Sequence, residues 1–228
     1  MRIGIGLLLA CVVASSANAA TGGPNRRSCA VPMVATAAAA PQMLGTSATP
    51  IRAERFSASW AHANEDASSL PALQGLIRPA YGLCPAEQLE YVQAAVHRQI
   101  HWGSDATQWG RHDYWASAAE TLARGAGDEE DVAVLKMQAL RALGFSANDL
   151  FITLGRDTIG GPLVVLAARV GGRYFILDEN GGRPWNVDER RAEFQPSISF
   201  GSANIWVHTR DAPVGAAPPR ASIFAASR

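Results

Sequence analysis

The stretch Gly127-Asp128-Glu129-Glu130-Asp131 decides the fold of this chain because it marks the start of a central helix. Asp128 is a favourable N-cap residue, and carboxylates in a first helical turn match the positive end of the helix macrodipole. Lys136 and Arg141 are predicted to face outwards or to balance the negative end, and Gly144 ends the helix. Apolar residues recur at helical spacing on the predicted buried side, and these are Val132, Leu135, Ala139 and Leu143.

The segment before this helix is predicted to contain further helices. Cys84-Pro85-Ala86-Glu87 is typical of a helix start, since proline suits the first helical position and glutamate suits the positive end. Residues 115–124 have the pattern of a short helix closed by Gly125. Between the two, residues 101–110 have the composition of a loop.

After the central helix the apolar pattern changes to the period of β-strands. Residues 163–170 are almost continuously apolar, which indicates a strand in the middle of a sheet. Gly171-Gly172 predicts a tight hairpin to the next strand. The predicted strands are 150–154, 163–170, 173–178 and 204–209. Helices followed by hairpin-linked strands predict an α+β fold in which N-terminal helices pack on an antiparallel sheet.

The N-terminal residues 1–19 have the pattern of a secretory signal peptide. Arg2 precedes an apolar stretch that is too short to span a bilayer, and Ala17-Asn18-Ala19 provides a small-residue cleavage site. A lipoprotein signal cut before Cys11 is the alternative. Either interpretation predicts an exported protein.

The rest of the chain divides into three segments of different composition. Residues 20–69 are rich in alanine, serine and proline, which predicts a mobile arm with Phe56 and Trp60 as candidate anchors. The folded domain is predicted to cover residues 70–211. Residues 212–228, which contain three prolines, are predicted to be a loose tail.

Charge and cysteine content narrow the classes of function and partner. Lys and Arg together number 20, as do Asp and Glu, so no basic surplus indicates a nucleic-acid partner. Nothing after the predicted signal is apolar enough to span a membrane. Cys29 and Cys84 remain once Cys11 leaves with the signal, and they either pair in an oxidising compartment or stay as two thiols.

Several short motifs together resemble those of the bacterial transglutaminase-like cysteine peptidases, a family that includes periplasmic proteases acting on adhesins. The resemblance covers residues 89–185. It rests on Trp109-Gly110, Asp113-Tyr114-Trp115, Glu120-Thr121-Leu122, Gly127-Asp128, Glu130-Asp131, Leu143-Gly144 and Leu177-Asp178. It implies a papain/transglutaminase-like fold and a periplasmic location.

The resemblance also implies a catalytic triad, two of whose positions have changed. In that family a cysteine at the start of the central helix is the nucleophile, a strand histidine is its base and an aspartate orients the histidine. The cysteine position is Glu129, the histidine position is Leu163 (or Pro162 if the register shifts by one), and the aspartate position is Asp178. No cysteine or histidine lies between residues 113 and 207. Losing one triad member costs roughly a million-fold in rate in a model hydrolase, so we expect no cysteine-peptidase activity.

Some proteases of this family depend on calcium, with metal ligands that flank the nucleophile. The corresponding residues are Asp128 and Glu130, and Asp131 adjoins them. Carboxylate oxygens suit Ca²⁺, so the resemblance implies a calcium site at these three residues. The alternative is structural: Asp128 caps the helix, Glu130 complements its dipole and Asp131 is a surface charge.

Three aromatic residues, Trp109, Tyr114 and Trp115, are candidates for a peptide-binding groove, because such side chains often anchor partners. Packing within the core or a loop is the alternative. Asp178 also has a simpler interpretation, as an aspartate that ends a strand before a turn.

The leading hypothesis is therefore a non-catalytic relative of an exported cysteine peptidase that binds a peptide or protein. Two alternatives stay open. One is a hydrolase of altered chemistry that uses Glu129 and Asp178 as a carboxylate pair. The other is a calcium-binding structural domain.

Overall fold

A computed structural model describes residues 39–190 and 193–210 of the chain. Within these residues the helices are α1 (Glu54–Ala63), α2 (Pro71–Ile77), α3 (Pro85–Gln99), α4 (Asp105–Trp109), α5 (Ala118–Arg124) and α6 (Glu129–Ala142). The strands are β1 (Thr46–Ile51), β2 (His101–Trp102), β3 (Ala126–Gly127), β4 (Leu150–Asp157), β5 (Pro162–Val170), β6 (Arg173–Leu177), β7 (Trp185–Asn186), β8 (Phe194–Phe200) and β9 (Ile205–Arg210). Short 3-10 helices cover Arg78–Ala80 and Ala147–Asp149.

The main sheet has seven strands in the order β1-β9-β8-β4-β5-β6-β7. Every neighbouring pair in it is antiparallel, which confirms the predicted α+β class. β5 lies inside the sheet between β4 and β6, as its apolar sequence predicts. Gly171 and Gly172 connect β5 to β6 with φ angles of 59° and 78°, values that glycine adopts without strain. A separate two-residue parallel pair joins β2 to β3, just before α6.

The sheet has a buried cluster on each face. The helix-facing cluster includes Leu140 of α6, Ile152 of β4 and Leu166 of β5. The outer cluster, on the opposite face, includes Phe151 of β4 and Val165 of β5. Successive side chains of a strand point to opposite faces, so the alternation along β4 and β5 separates the two clusters.

The prediction of a mobile arm over residues 20–69 is wrong for residues 46–63. β1 pairs with β9 from Thr46 to Ile51, and α1 buries Trp60 in the helix-facing cluster. The Trp60 ring centroid lies 6.1 Å from that of Trp115 and 5.4 Å from that of Phe200. Composition misled the prediction because an edge strand and one aromatic anchor suffice to order an alanine-rich segment.

Other differences concern short elements. The predicted loop over residues 101–110 contains β2 and α4, and β7 and β8 were not predicted. The helix expected over residues 115–124 begins only at Ala118, because Ser117 is its N-cap and its hydroxyl accepts from the Glu120 amide.

Some predictions concern residues outside the described part of the chain. The signal peptide, the lipoprotein alternative at Cys11 and the tail over residues 212–228 are among them. Cys29 also lies outside it, while Cys84, the N-cap of α3, is disulfide-bonded and is not a free thiol. Across the described residues, no helix combines the length and the apolar character that crossing a membrane requires.

Candidate functional site

Five carboxylates converge at the N-terminus of α6, and we call them the acidic cluster. Its members are Asp105, Asp113, Asp128, Glu130 and Asp131. Within each of two overlapping trios, Asp105/Asp113/Glu130 and Asp105/Asp128/Asp131, one oxygen per residue lies within 4.8 Å of the others. A third trio combines Asp128, Glu129 and Glu130. Sequence reasoning identified the three α6 residues but not Asp105 or Asp113, which belong to the segment before α5.

The buried members of the acidic cluster lack partners for part of their oxygens. Asp105, Asp128 and Asp131 are 4%, 9% and 1% exposed. Asp105 Oδ2 accepts from the Tyr114 amide at 2.5 Å, and Asp131 Oδ1 accepts from the Ala116 amide at 2.8 Å. The remaining oxygens, Asp105 Oδ1, Asp128 Oδ1 and Asp131 Oδ2, are buried with no hydrogen-bond partner. Such groups are costly unless a proton or a cation neutralises them.

The raised pKa values of these carboxyl groups agree with their burial and their closeness to one another. Burial, together with repulsion from Glu130, Asp105 and Glu129, raises the pKa of Asp128 to about 8. Burial also raises the pKa values of Glu130 and Asp131 to about 7. The acidic cluster is therefore poised to hold protons or a metal ion near neutral pH.

Asp128 occupies the N-cap position of α6, but its side chain forms no capping hydrogen bond of good geometry. The Asp131 amide lies close enough to lower its pKa, although burial and the neighbouring carboxylates outweigh that effect. Asp131 is buried, so the interpretation of this residue as a surface charge is wrong. Capping and dipole complementarity therefore do not account for the cluster.

Gly127 permits the close packing of this corner. A Cβ at Gly127 would lie 2.7 Å from Cβ of Asp131, a distance that side-chain packing does not tolerate. The Gly127 carbonyl accepts from the Gly103 amide at 3.1 Å, so the β2–β3 pair fixes the turn that precedes α6. Asp131 can therefore occupy its position only because residue 127 has no side chain.

Glu129, at the predicted nucleophile position, has a carboxylate neighbour that sequence reasoning missed. The carboxyl group of Glu179 lies beside that of Glu129, and burial together with the Glu129 charge raises the pKa of Glu179. Asp178, the predicted partner, directs its carboxylate elsewhere. It accepts from Trp185 Nε1 at 3.2 Å and from the Asn180 amide at 3.1 Å. The carboxyl group beside Glu129 is that of Glu179, whereas the carboxylate of Asp178, the alternative partner, binds Trp185 and Asn180.

Lys136 is buried, with 1% of its surface exposed, so the prediction that it faces outwards is wrong. Its Nζ donates to the main-chain carbonyl of Asp178 at 2.5 Å, and Gln93 Nε2 donates to the same carbonyl at 2.9 Å. Burial lowers the pKa of Lys136 to about 8, against the opposing effect of the Asp178 and Glu179 charges. Lys136 and Gln93 therefore fix the chain segment that presents Glu179 to Glu129.

The predicted histidine position, Leu163 or Pro162, contains no ionisable group. Leu163 packs against the outer cluster, whereas the next residue, Val164, packs against the helix-facing cluster. By strand alternation Pro162 shares the face of Val164. The structure therefore brings Glu129 and Glu179 together and leaves Leu163 on the face of β5 that points away from α6.

The predicted aromatic groove is wrong at Trp115, which is 7% exposed and packs in the helix-facing cluster. The rings of Trp109 and Tyr114 contact each other at a tilt of 44° with centroids 4.4 Å apart, and the Arg124 guanidinium covers Trp109 at 3.7 Å. The Tyr114 hydroxyl donates to Glu120 at 2.9 Å. These two rings form a supporting layer beside the acidic cluster, where the Tyr114 amide binds Asp105.

An open pocket lies beside the start of α6, and we call it the indole pocket. It has a volume of about 320 Å³. Its most exposed aromatic residue is Trp102, which is 69% exposed and which sequence reasoning placed in a loop. The lining residues are His97, Ile100, Trp102, Gly127, Asp128, Val132, Glu179 and Asn180. Glu179 thus joins the indole pocket to Glu129, the predicted nucleophile position.

Comparisons with known proteins agree with this architecture. Residues 80–212 match a family model described as bacterial transglutaminase-like cysteine proteinase. The crystal structure of Legionella pneumophila LapG is 24% identical, with a TM-score of 0.51, and the match covers 70% of this chain and 90% of that one. A structure of the same protein described as calcium-bound is 25% identical, with a TM-score of 0.52, and the match covers 66% and 83% of the two chains. An EGTA-treated form is also similar, with 24% identity and a TM-score of 0.51.

The search of curated proteins found no match. The structural matches confirm the predicted transglutaminase-like fold, in which helices pack on an antiparallel sheet.

Proposed function

The chain belongs to the bacterial transglutaminase-like cysteine proteinase family, and from this premise we propose that it is a non-catalytic member that binds calcium and a peptide or protein partner. We further propose that it is exported and acts in the periplasm, in keeping with its N-terminal sequence. The observation that carries the proposal is that Glu129 occupies the position where the family chemistry requires a thiol, with the carboxyl group of Glu179 beside it.

The loss of catalysis follows from the chemistry of that pair. A thiolate attacks a peptide carbonyl because it is strongly nucleophilic, and a neighbouring imidazole activates it and protonates the leaving amine. Glu129 is a much weaker nucleophile, and the group beside it is a second carboxyl, that of Glu179. Leu163 and Pro162 transfer no proton, so both halves of the reaction lack a suitable group.

Calcium suits the acidic cluster. Ca²⁺ takes six to eight oxygen ligands in flexible geometry, and the cluster offers the carboxylates of Asp105, Asp113, Asp128, Glu130 and Asp131. The unpartnered oxygens of Asp105, Asp128 and Asp131 are the atoms that a cation would satisfy. When bound, calcium would supply positive charge that stabilises the folded arrangement of α4, the segment that contains Asp113, and the start of α6.

The calcium proposal is tested by thermal unfolding of the chain without its predicted signal, in calcium and then in excess chelator. We expect calcium to raise the midpoint, since a ligand that binds only the folded state stabilises it by about 2.7 kcal/mol at a hundred times its dissociation constant. Asp128→Asn and Glu130→Gln should each reduce the shift, because each removes one of the five carboxylate ligands. Glu189→Gln, which removes an exposed carboxylate elsewhere, is the matched control. An unchanged midpoint in the wild type would refute calcium binding.

The absence of peptidase activity is tested with casein and adhesin-derived peptides. We expect no turnover by the wild type, and none by Glu129→Cys, because the variant thiol still lacks a base. Turnover by the wild type that Glu129→Gln abolishes would contradict the proposal. It would favour the altered hydrolase instead.

That second candidate has one observation in its favour. Paired carboxylates can divide acid and base roles when their environments separate their pKa values, and the pKa of Glu179 is raised. The pair in question is Glu129–Glu179 and not Glu129–Asp178. Activity that depended equally on Glu129 and Glu179 would identify this chemistry.

A further inference from the structure

The indole pocket presents an aromatic face to solvent. Trp102 is 69% exposed, although tryptophan contributes most when its large surface is buried. Its backbone is held in place, because β2 pairs with β3 in the register Trp102↔Gly127. The ring is therefore attached to a fixed backbone beside α6.

The polar residues that line the pocket are two acidic ones, besides His97 and Asn180. Glu179 lines it, and so does Asp128, which is 9% exposed and has an unpartnered Oδ1. The five carboxylates of the acidic cluster carry more negative charge than one divalent cation carries positive charge, so metal binding would not reverse the sign. Lys136 is buried and does not line the pocket, and its ammonium is already bonded to the Asp178 carbonyl.

Apolar residues complete the pocket. Ile100 at the end of α3 and Val132 in α6 both line it. His97 also lines it and packs closely under Gly181, where a Cβ would approach the imidazole to 2.3 Å. This close packing holds the turn that follows Asp178, including Asn180 and its neighbour Glu179, against α3. The pocket therefore combines an apolar surface, an exposed indole and a carboxylate at a fixed position.

We propose that the indole pocket binds a basic side chain of the partner, and arginine in particular. This inference rests on the proposed function, since it names the chemical class that the partner presents at the former active site. A guanidinium is planar, stacks on an indole and donates to a carboxylate at the same time. Its head group would lie between Trp102 and Glu179, and its methylene stem would cover Ile100 and Val132.

The experiment compares two probes of nearly equal shape by calorimetry, at neutral pH with calcium present. N-acetyl-arginine amide carries a guanidinium, and N-acetyl-citrulline amide replaces it with a neutral urea. We expect the arginine probe to bind at least about tenfold more tightly, as charge-assisted hydrogen bonds predict. Trp102→Ala and Glu179→Gln should each remove that preference, whereas Trp102→Phe should keep part of it. Glu189→Gln is the charge-matched control outside the pocket.

Two results would overturn the inference. One is equal binding, or no binding, of the two probes to the wild type. The other is an arginine preference that persists in both Trp102→Ala and Glu179→Gln. Neither result would change the calcium shift or the turnover measurement, which test the proposed function. Failure of this inference is therefore distinguishable from failure of the proposed function. Circular dichroism of each variant checks that it is folded, which we expect because Trp102 is largely exposed.

Discussion

At the scale of single residues, Lys136 offers the sharpest test of how the site is held. It is the only lysine of the sequence, and its stem is packed inside the domain while Nζ binds the Asp178 carbonyl. We expect Lys136→Ala to lower the free energy of unfolding by about 2–4 kcal/mol, the usual cost of a cavity in a core. Lys136→Met should cost less than half as much, because it keeps the volume and removes a buried charge while Gln93 still binds Asp178.

Urea unfolding at pH 7 measures both variants. Equal losses for the alanine and methionine variants would mean that the ammonium, rather than the packed stem, stabilises the segment. Arg141→Met, in the same helix, is the control. It removes a half-buried cation that binds Asn64 and lies away from the Asp178 segment.

The same scale shows what the sequence could predict about the site. The motif around Glu129 identified the helix start and three members of the acidic cluster, because those residues are adjacent in the chain. Asp105 and Glu179 were missed because they approach α6 only after the chain has folded, and no local spacing marks them. Lys136 was misplaced because its charge suggested exposure, although it occurs one turn after Val132 on a helix buried around most of its surface.

At the scale of elements, β1 and α1 make a prediction about truncation. A chain that starts at residue 39 keeps both elements, and a chain that starts at residue 70 loses β1 and the Trp60 anchor. We expect the first to fold and the second to lack a cooperative thermal transition, because removing a buried tryptophan alone costs about 3–5 kcal/mol. Both chains start after Cys29, so their cysteine content is the same. Circular dichroism against temperature decides, and a folded chain from residue 70 would show that these elements are accessory.

The three strands β1, β8 and β9 share a histidine that predicts acid sensitivity. His208 is buried, with Nε2 at 2.8 Å from Ser199 Oγ and Nδ1 at 2.8 Å from Thr46 Oγ1. Burial lowers its pKa from 6.5 to about 4. The folded state therefore favours the neutral ring, so the stability that His208 contributes is complete above pH 6.5 and is lost as the pH falls towards 4.

This loss should reach about 3 kcal/mol at pH 4, from the difference between the two pKa values. Free energies of unfolding measured between pH 7 and pH 4 give the slope. His208→Gln should flatten it, whereas His112→Gln, at an exposed position, should leave it unchanged. If the free energy of unfolding of His208→Gln depended on pH as steeply as that of the wild type, other groups would be responsible for the acid sensitivity.

Elements were predicted correctly where the sequence pattern that marks them lies within a few consecutive residues. The helix α6 and the β5–β6 hairpin were predicted because apolar periodicity and Gly171-Gly172 are complete within a few residues. β8 was missed because it is partly polar and contains Pro196, which pairs with Gly155 where the register of β4 shifts. A Cβ at Gly155 would lie 2.2 Å from the Gln195 carbonyl, so the irregular pairing depends on contacts between distant segments.

At the scale of the whole molecule, a chain without net charge concentrates negative charge at one end of one helix. Without a metal ion, the raised pKa values of Asp128, Glu130 and Asp131 mean that the folded state holds protons that the unfolded state releases. The stability contributed by those protons is complete below about pH 4 and is lost as the pH rises through 7 to 8. At the proposed site calcium would replace the protons, so its effect should grow over the same pH range.

We therefore expect the difference in unfolding midpoint between calcium and chelator to be larger at pH 8 than at pH 6. At pH 8 and saturating calcium it should reach about 5–10 °C for a chain of this size. Magnesium should produce a smaller shift, because it demands tighter octahedral geometry and gives up its water reluctantly. In Glu130→Gln both the calcium shift and its pH dependence should shrink. The substitution removes one calcium ligand and, with it, one carboxyl group whose pKa is raised. A calcium shift of equal size at both pH values would mean that the ion binds outside the acidic cluster, at groups that are already ionised.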